Sequence, residues 1–583
     1  MIRVVALRKA AVAGAAGAFA WELVLRSAIL LGIPTFDIVR ILGTLAFPRG
    51  PALAWWSVGM VAHALVGVCW AVFYAYFFWS QFDWKPPFQG LVFSVVPAVL
   101  ALFVVSPQLG LIQLGADQVR LTASMLLPGL SGAEIAGLLV GHAIFGLTVG
   151  AIYTRPVGYP ADRPPKVRLA AVRASRNGGR RAPNSGFIFA TGFECSYPTV
   201  EHGKWRRDEL HETRHYAFWQ RDIELAREIG VTHLRYGPPL HLIFEGPGKF
   251  RWNLIDEPMA ELELGGPEPI VDLCHFGLPC WLGDFQNPDI AAALAEYARA
   301  FAARYPWVRY YTPVNEMYVC AKMSALDGLW NEQRRDEASF FNAVFNLASA
   351  CAKMTDAILE VRPDAILINS ESGEFYQPCC PDEEIVARAK LENERRFLPL
   401  DLLYAHEVGD RMLGTIREQG HEDEYRRFLE RRVPKRSVLG VDYYEWNEKL
   451  IDRDGNPRAL GELFGWSVIA SQYWRRYRRT MMHTETNRID ASDAQRWLWR
   501  QWHNVQHVRS AGVPLIGFTW YSLTDQVDWG IAIREATGGV DPSGLFDLNR
   551  DPRPVALSYK HLIDMHRDVP EYRHCPAVEE LMS

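Results

Sequence analysis

The octapeptide Tyr310-Tyr-Thr-Pro-Val-Asn-Glu-Met317 opens as an aromatic and β-branched run and ends in an amide followed by a carboxylate. Such a run predicts a short buried strand. At the C-terminal end of a barrel strand, Asn315 and Glu316 would face the side on which such folds do chemistry. Asn-Glu also arises by chance at strand ends and helix caps, so the surrounding chain has to choose between the two readings.

Outward from this stretch the strand pattern recurs. Candidate strands cover Phe187–Thr191, Thr232–Tyr236, Pro269–His275, Val308–Asn315, Ala365–Ser370, Val438–Tyr444, Met481–Glu485 and Leu515–Trp520. Helical stretches lie between and after them: Trp219–Ile229, Asp289–Arg304, Ala338–Val361, Ala491–Ala511 and Pro554–His566. Eight strands alternating with helices predict an α/β fold, a parallel (β/α)8 TIM barrel, over residues 185–583. No Gly-x-Gly-x-x-Gly turn follows the first strand, which argues against a doubly wound dinucleotide-binding sheet. The charged stretch Asp382–Val433 is expected as a helical excursion between the fifth and sixth strands.

Residues 1–155 have a different composition, mostly apolar with few charges. A bilayer core needs roughly 20 apolar helical residues to cross it. Ala11–Ile33, Trp55–Trp79, Phe88–Leu109 and Leu127–Tyr153 satisfy this, predicting an all-α transmembrane domain of about four helices. Trp55, Trp56, Phe78 and Trp79 stand where interfacial aromatic belts form. Within the spans, Glu22 and Arg26 are spaced to pair on one helix face. Together with Glu134 and His142 they either line a path or pair structurally.

Residues 156–184 read as a basic Pro- and Arg-rich linker, equally suited to touching anionic lipid headgroups. Positive charge precedes the first span (Arg3, Arg8, Lys9) and follows the last, which predicts a multi-pass plasma- or inner-membrane protein with a cytoplasmic barrel. The lipid bilayer is thus an expected partner.

The 583-residue chain has a formal net charge of -5 and no basic stripe interleaved with aromatics, so no nucleic-acid partner is expected. Its nine cysteines show neither disulfide-framework nor metal-site spacing, and an odd number suits a reducing compartment. No metal and no cofactor are expected; the oligomeric state is left open.

Polar residues recur at the predicted strand C-termini: Arg235, His275, Asn315 with Glu316, Asp442 with Tyr444, Glu485, and the run from Trp520 to Trp529. Polar ends pointing one way suggest a cleft. Two carboxylates, Glu316 and Glu485, suit glycosidic cleavage: one donates a proton while the other captures or stabilises an oxocarbenium-like centre. Trp520, Tyr521 and Trp529 fit either sugar-ring platforms or core packing at the rim.

Six ordered segments carry a resemblance. Asp272-Leu-Cys-His-Phe-Gly-Leu-Pro-Cys-Trp-Leu282, Val314-Asn-Glu-Met317, Gly440-Val-Asp-Tyr-Tyr444, His483-Thr-Glu-Thr-Asn487, Gly512-Val-Pro-Leu-Ile-Gly517 and Ser522-Leu-Thr-Asp-Gln-Val-Asp-Trp529 are similar to segments of glycoside hydrolase family 1, the retaining β-glycosidases. The resemblance implies that Glu485 is the nucleophile and Glu316 the acid/base. It further implies that Asn315 meets the sugar 2-hydroxyl, that Arg235 keeps Glu485 ionised, that Tyr444 orients it, and that His275 contacts a ring hydroxyl. Asp528 stands where the family reads far hydroxyls with Glu, Asp442 where it has Asn, and Cys195-Ser-Tyr-Pro198 where it has a sugar-reading Gln.

The expected function is a membrane-anchored retaining β-glycosidase, with a carbohydrate or glycolipid substrate that is lipid-linked or membrane-adjacent. The alternatives are a transglycosylase using the same residues and a non-catalytic carbohydrate-binding scaffold.

Overall fold

The computed structural model describes residues 7–33, 35, 37–47, 51–78, 86–105, 132–153, 186–193 and 195–582. The basic linker 156–184 and Trp79 lie outside these. The chain divides into two compact units, 1–158 and 159–583.

In the first unit, four helices are long and apolar enough to cross a membrane: Leu7–Leu30, Ala52–Phe78, Pro86–Val104 and Gly132–Ile152. They meet through glycines, which let helix backbones approach closely. A Cβ added at Gly14 would lie 2.4 Å from the Gly67 carbonyl oxygen, and one at Gly90 would lie 2.0 Å from that of Gly146. Arg26 pairs with Glu22 and forks onto Asp37 through two 2.9 Å hydrogen bonds. His142 packs on Trp21 at 4.4 Å between ring centroids, and its Nδ1 bonds the Leu138 carbonyl. The ionisable groups Glu22, Arg26 and His142 are thus held by partners within the unit.

The second unit is a closed barrel of eight parallel strands in chain order. They are β1 Ile188–Gly192, β2 His233–Tyr236, β3 Glu268–Asp272, β4 Tyr310–Thr312, β5 Ile366–Ser372, β6 Ser437–Asp442, β7 Met481–His483 and β8 Leu515–Trp520. Nearly every strand residue is buried, the pattern of a sheet covered on both faces. The covering helices include His215–Ile229, Ile290–Arg304, Glu337–Val361, Ala494–Ser510 and Pro554–Arg567. Between β5 and β6, four helices from Glu383 to Leu429 form the charged excursion. Asp382 starts it by accepting hydrogen bonds from the Glu384 and Ile385 amides.

β4 is shorter than its sequence suggests. Pro313 has no N–H for the ladder, so regular pairing stops at Thr312. The next residues are tied to the neighbouring rims instead: the Asn315 amide donates to the Cys274 carbonyl and the Glu316 amide to that of Ser370, each at 3.0 Å.

Candidate active site

The strand tips converge on one face. Arg235 is the third residue of β2 and is buried. It donates to Glu485 Oε1 through Nη1, and through Nη2 to Asn315 Oδ1 at 2.9 Å and Asp272 Oδ2 at 3.2 Å. The Tyr444 hydroxyl donates to Glu485 Oε2 at 2.6 Å, and Asn315 Nδ2 approaches Oε1 at 3.4 Å. Both Glu485 oxygens therefore face donors, the charge-assisted Arg235 bond among them. Burial opposes the charge on Arg235, but Glu485, Asp272 and Asp442 outweigh it and hold the guanidinium well above its ordinary pKa.

Glu316 has the opposite surroundings. Its residue has φ of 42°, the left-handed region, and begins the helix Met317–Ala321. Such a conformation is costly for a side-chain-bearing residue and is tolerated where the fold over-determines it; the two backbone bonds to the β3 and β5 rims do so here. Burial and the charges of Asp442, Glu485 and Glu371 push the Glu316 carboxyl well above the usual range.

Asp442 is also buried, and its pKa is raised by burial and by Glu485, against Arg235, Thr484 and Ser370. The Ser370 hydroxyl lies 2.9 and 2.7 Å from its two oxygens.

His275 Nδ1 pairs with Asp272 Oδ2 at 2.7 Å, and Asn315 Nδ2 lies 3.4 Å from its Nε2. Asp272, Ser370 and Glu371 complete the polar ring without having been among the sequence candidates. Asp272 and Glu371 sit at the ends of β3 and β5; extending the strand-tip rule by one residue at β5 would have reached Glu371. Cys195, Asp272 and His275 place donor atoms within 4.8 Å of one another. Asp272 Oδ2 already accepts from His275 and Arg235, so a metal ion there would compete with a guanidinium.

The aromatic and acidic candidates after β8 are placed differently from the ring around Glu485. Trp520 is fully buried and donates through Nε1 to the Ser543 carbonyl at 3.1 Å. The Tyr521 hydroxyl donates to the Phe193 carbonyl, and its ring lies 5.5 Å from the Arg235 guanidinium. Both form wall beneath the site. Trp529 is half-buried and meets the Tyr444 ring edge-on at 6.1 Å.

Asp528 is enclosed by its own loop. Its oxygens accept from Arg207 Nη2 and from the amides of Thr537, Gly538 and Gly539, all at 2.9–3.0 Å, and from the Thr537 hydroxyl. These donors outweigh burial and hold its carboxyl below the usual range.

Comparison with known proteins agrees with this geometry. The family model of glycosyl hydrolase family 1 matches residues 201–451, a span that holds Glu316 and ends before Glu485. The chain is 25% identical over 363 residues to the 1,4-beta-D-glucan glucohydrolase of Thermotoga neapolitana, covering 54% of this chain and 82% of that one. It is 24% identical over 360 residues to Beta-glucosidase A of Thermotoga maritima, covering 54% and 78%. The solved beta-glucosidase from Thermotoga maritima in complex with glucoimidazole superposes with a TM-score of 0.55 at 19% identity, covering 65% of this chain and 98% of that one. A TIM barrel with carboxylates at its strand tips, together with these relatives, makes the barrel unit a glycoside hydrolase that over residues 201–451 is similar to family 1.

Proposed function

We propose that the protein is a retaining β-glycosidase anchored in a membrane by its four apolar helices and acting on a lipid-linked or membrane-adjacent glycoside. The observation that carries the chemistry is the contrast between two buried carboxylates. Glu485 is gripped by Arg235 and Tyr444, whereas Glu316 lies among Asp442, Glu371 and Glu485 itself. Hydrogen-bond donors around one carboxylate and like charges around the other assign the roles.

Glu485 attacks the anomeric carbon while Glu316 gives its proton to the glycosidic oxygen, and the aglycone leaves as an alcohol. Glu316, now ionised, takes a proton from water, which breaks the sugar–Glu485 ester. Free sugar leaves and both carboxylates return to their starting states. Asn315 and His275 face the sugar from the same ring. Asp528 and the wall residues Trp520 and Tyr521 act through the shape of the site, and Trp529 lies at its edge.

Relatives named for β-linked glucose substrates make β-glycosides the substrate class to test first. A mechanism-based 2-fluoroglycoside should label Glu485 in the wild type and leave Glu485→Ala unlabelled; labelling that persists elsewhere overturns the assignment. Glu316→Gln should lose about 10² to 10⁴ in rate on glycosides with poor leaving groups. Incubation with membrane glycolipids separates outcomes by product: free sugar for hydrolysis, a new glycolipid for transfer.

The positive residues Arg3, Arg8 and Lys9 before the first span, and those from Arg155 onward, support a cytoplasmic barrel. In sealed inside-out vesicles the barrel should be open to protease, and protection there would reverse the orientation.

A further inference from the structure

We propose that the segment Leu460–Val468 is an interfacial element that seats the mouth of the barrel on the bilayer, so that a membrane-presented glycoside meets Glu485 and Glu316. This deepens the reading of the substrate as membrane-presented and rests on it. Leu460, Leu463, Phe464 and Val468 are 40, 54, 42 and 42% exposed. No other nine-residue stretch among the described residues of the barrel unit exposes four large apolar side chains. Clustered apolar exposure marks a contact surface, whereas single exposed residues need no explanation.

The segment is held outward by built-in bonds. Glu448, 1% exposed, accepts from the Phe464 amide at 2.7 Å, the Gly465 amide at 2.9 Å and the Tyr443 hydroxyl at 2.6 Å. The Leu460 amide donates to the Glu448 carbonyl at 2.8 Å. A buried carboxylate thus fixes the backbone from beneath while the leucines point into solvent.

The same anchor reaches the reacting centre. The Tyr443 amide donates to the Glu485 carbonyl at 2.9 Å, and the next residue, Tyr444, holds the Glu485 carboxylate. Trp446 stacks on Tyr444 at 4.9 Å, and Phe464 meets Phe375, just past β5, at 5.0 Å. The apolar rim and the candidate nucleophile are therefore joined through one rigid turn.

The occupant that fits is a lipid surface. The chain itself carries four helices of membrane length, which would hold the barrel near a bilayer. The hairpin preceding the segment exposes Arg453 and Arg458 together with Asp454, so opposite charges offset there and the apolar knob itself carries the membrane contact.

The test uses the full chain in phosphatidylcholine vesicles containing phosphatidylglycerol. Two substrates share one sugar: the best-cleaved member of a 4-nitrophenyl β-glycoside panel, and a diacylglycerol carrying that sugar in the vesicle. The double variant Leu460→Ser with Leu463→Ser should lose about tenfold or more in kcat/KM on the glycolipid while staying within about twofold on the soluble glycoside. Leu463→Trp should keep glycolipid turnover, because tryptophan suits the interface.

Equal loss on both substrates, or no loss on either, overturns the interfacial role while leaving the glycosidase reading intact. A wild type that cleaves neither overturns that reading, and this inference with it.

Discussion

At the scale of the residue, the two carboxylates proposed as acid/base and nucleophile, Glu316 and Glu485, share their surroundings with a third. Asp442 raises Glu316 without a cation of its own beyond the shared Arg235. Replacing it with Asn removes a negative charge while keeping a hydrogen-bonding side chain of the same size. The Glu316 pKa should then fall, since a nearby like charge had disfavoured its ionised form. The alkaline limb of the kcat/KM profile reports the acid of the free enzyme, so Asp442→Asn should move that limb to lower pH. An unmoved limb would mean that Glu316 does not feel Asp442. Glu316 and Glu485 stood out as candidates in the sequence because each is a carboxylate just after an apolar run, where a core-facing position would be apolar. The enclosure of Asp528 was not legible there. Its donors come from Arg207 and from residues 537–539, and side-chain identity alone does not announce that such distant groups meet.

At the scale of the element, strands and helices were readable because burial on both sheet faces demands apolar runs and helix faces repeat every three to four residues. The connecting rims were less so, because their shapes depend on single long-range bonds. Glu332, in the loop before the helix Glu337–Val361, is one such case. Its Oε1 accepts from Gln286 Nε2 at 2.9 Å, while its Oε2 is buried without a hydrogen-bond partner. Burial pushes its pKa up to about 7, from the ordinary 4.5. A raised carboxyl pKa means that unfolding releases a proton between these values, so stability falls as pH rises across that window and is level above it. The loss approaches about 3 kcal/mol at pH 8. Glu332→Gln retains the Gln286 contact and should remove the slope. Urea denaturation at pH 5 and pH 8 checks this: the variant should gain on the wild type at pH 8 and little at pH 5, and a parallel offset would refute it.

At the scale of the whole molecule, the chain joins two units that bury their apolar surface separately. The core of the first includes Trp21, Leu25, Tyr74, Phe93 and Phe145; that of the second gathers the barrel strands and their covering helices. The composition changes near residue 155, and a stretch with so few charges cannot form the amphipathic helices that cover a barrel. Separate cores predict separate unfolding, so no single transition temperature describes the chain. Gly90→Leu tests this. Its side chain would have to enter space now held by the Gly146 carbonyl oxygen, 2.0 Å from the position of a Cβ, so Pro86–Phe93 must part from Gly132–Ile152. The helical unit should become protease-sensitive in detergent at a lower temperature. Distant, independent sites have additive energies, so thermal inactivation of the glycosidase should stay within about 1 °C of wild type. A fall of the inactivation temperature in step with the helical unit would show instead that the two unfold as one.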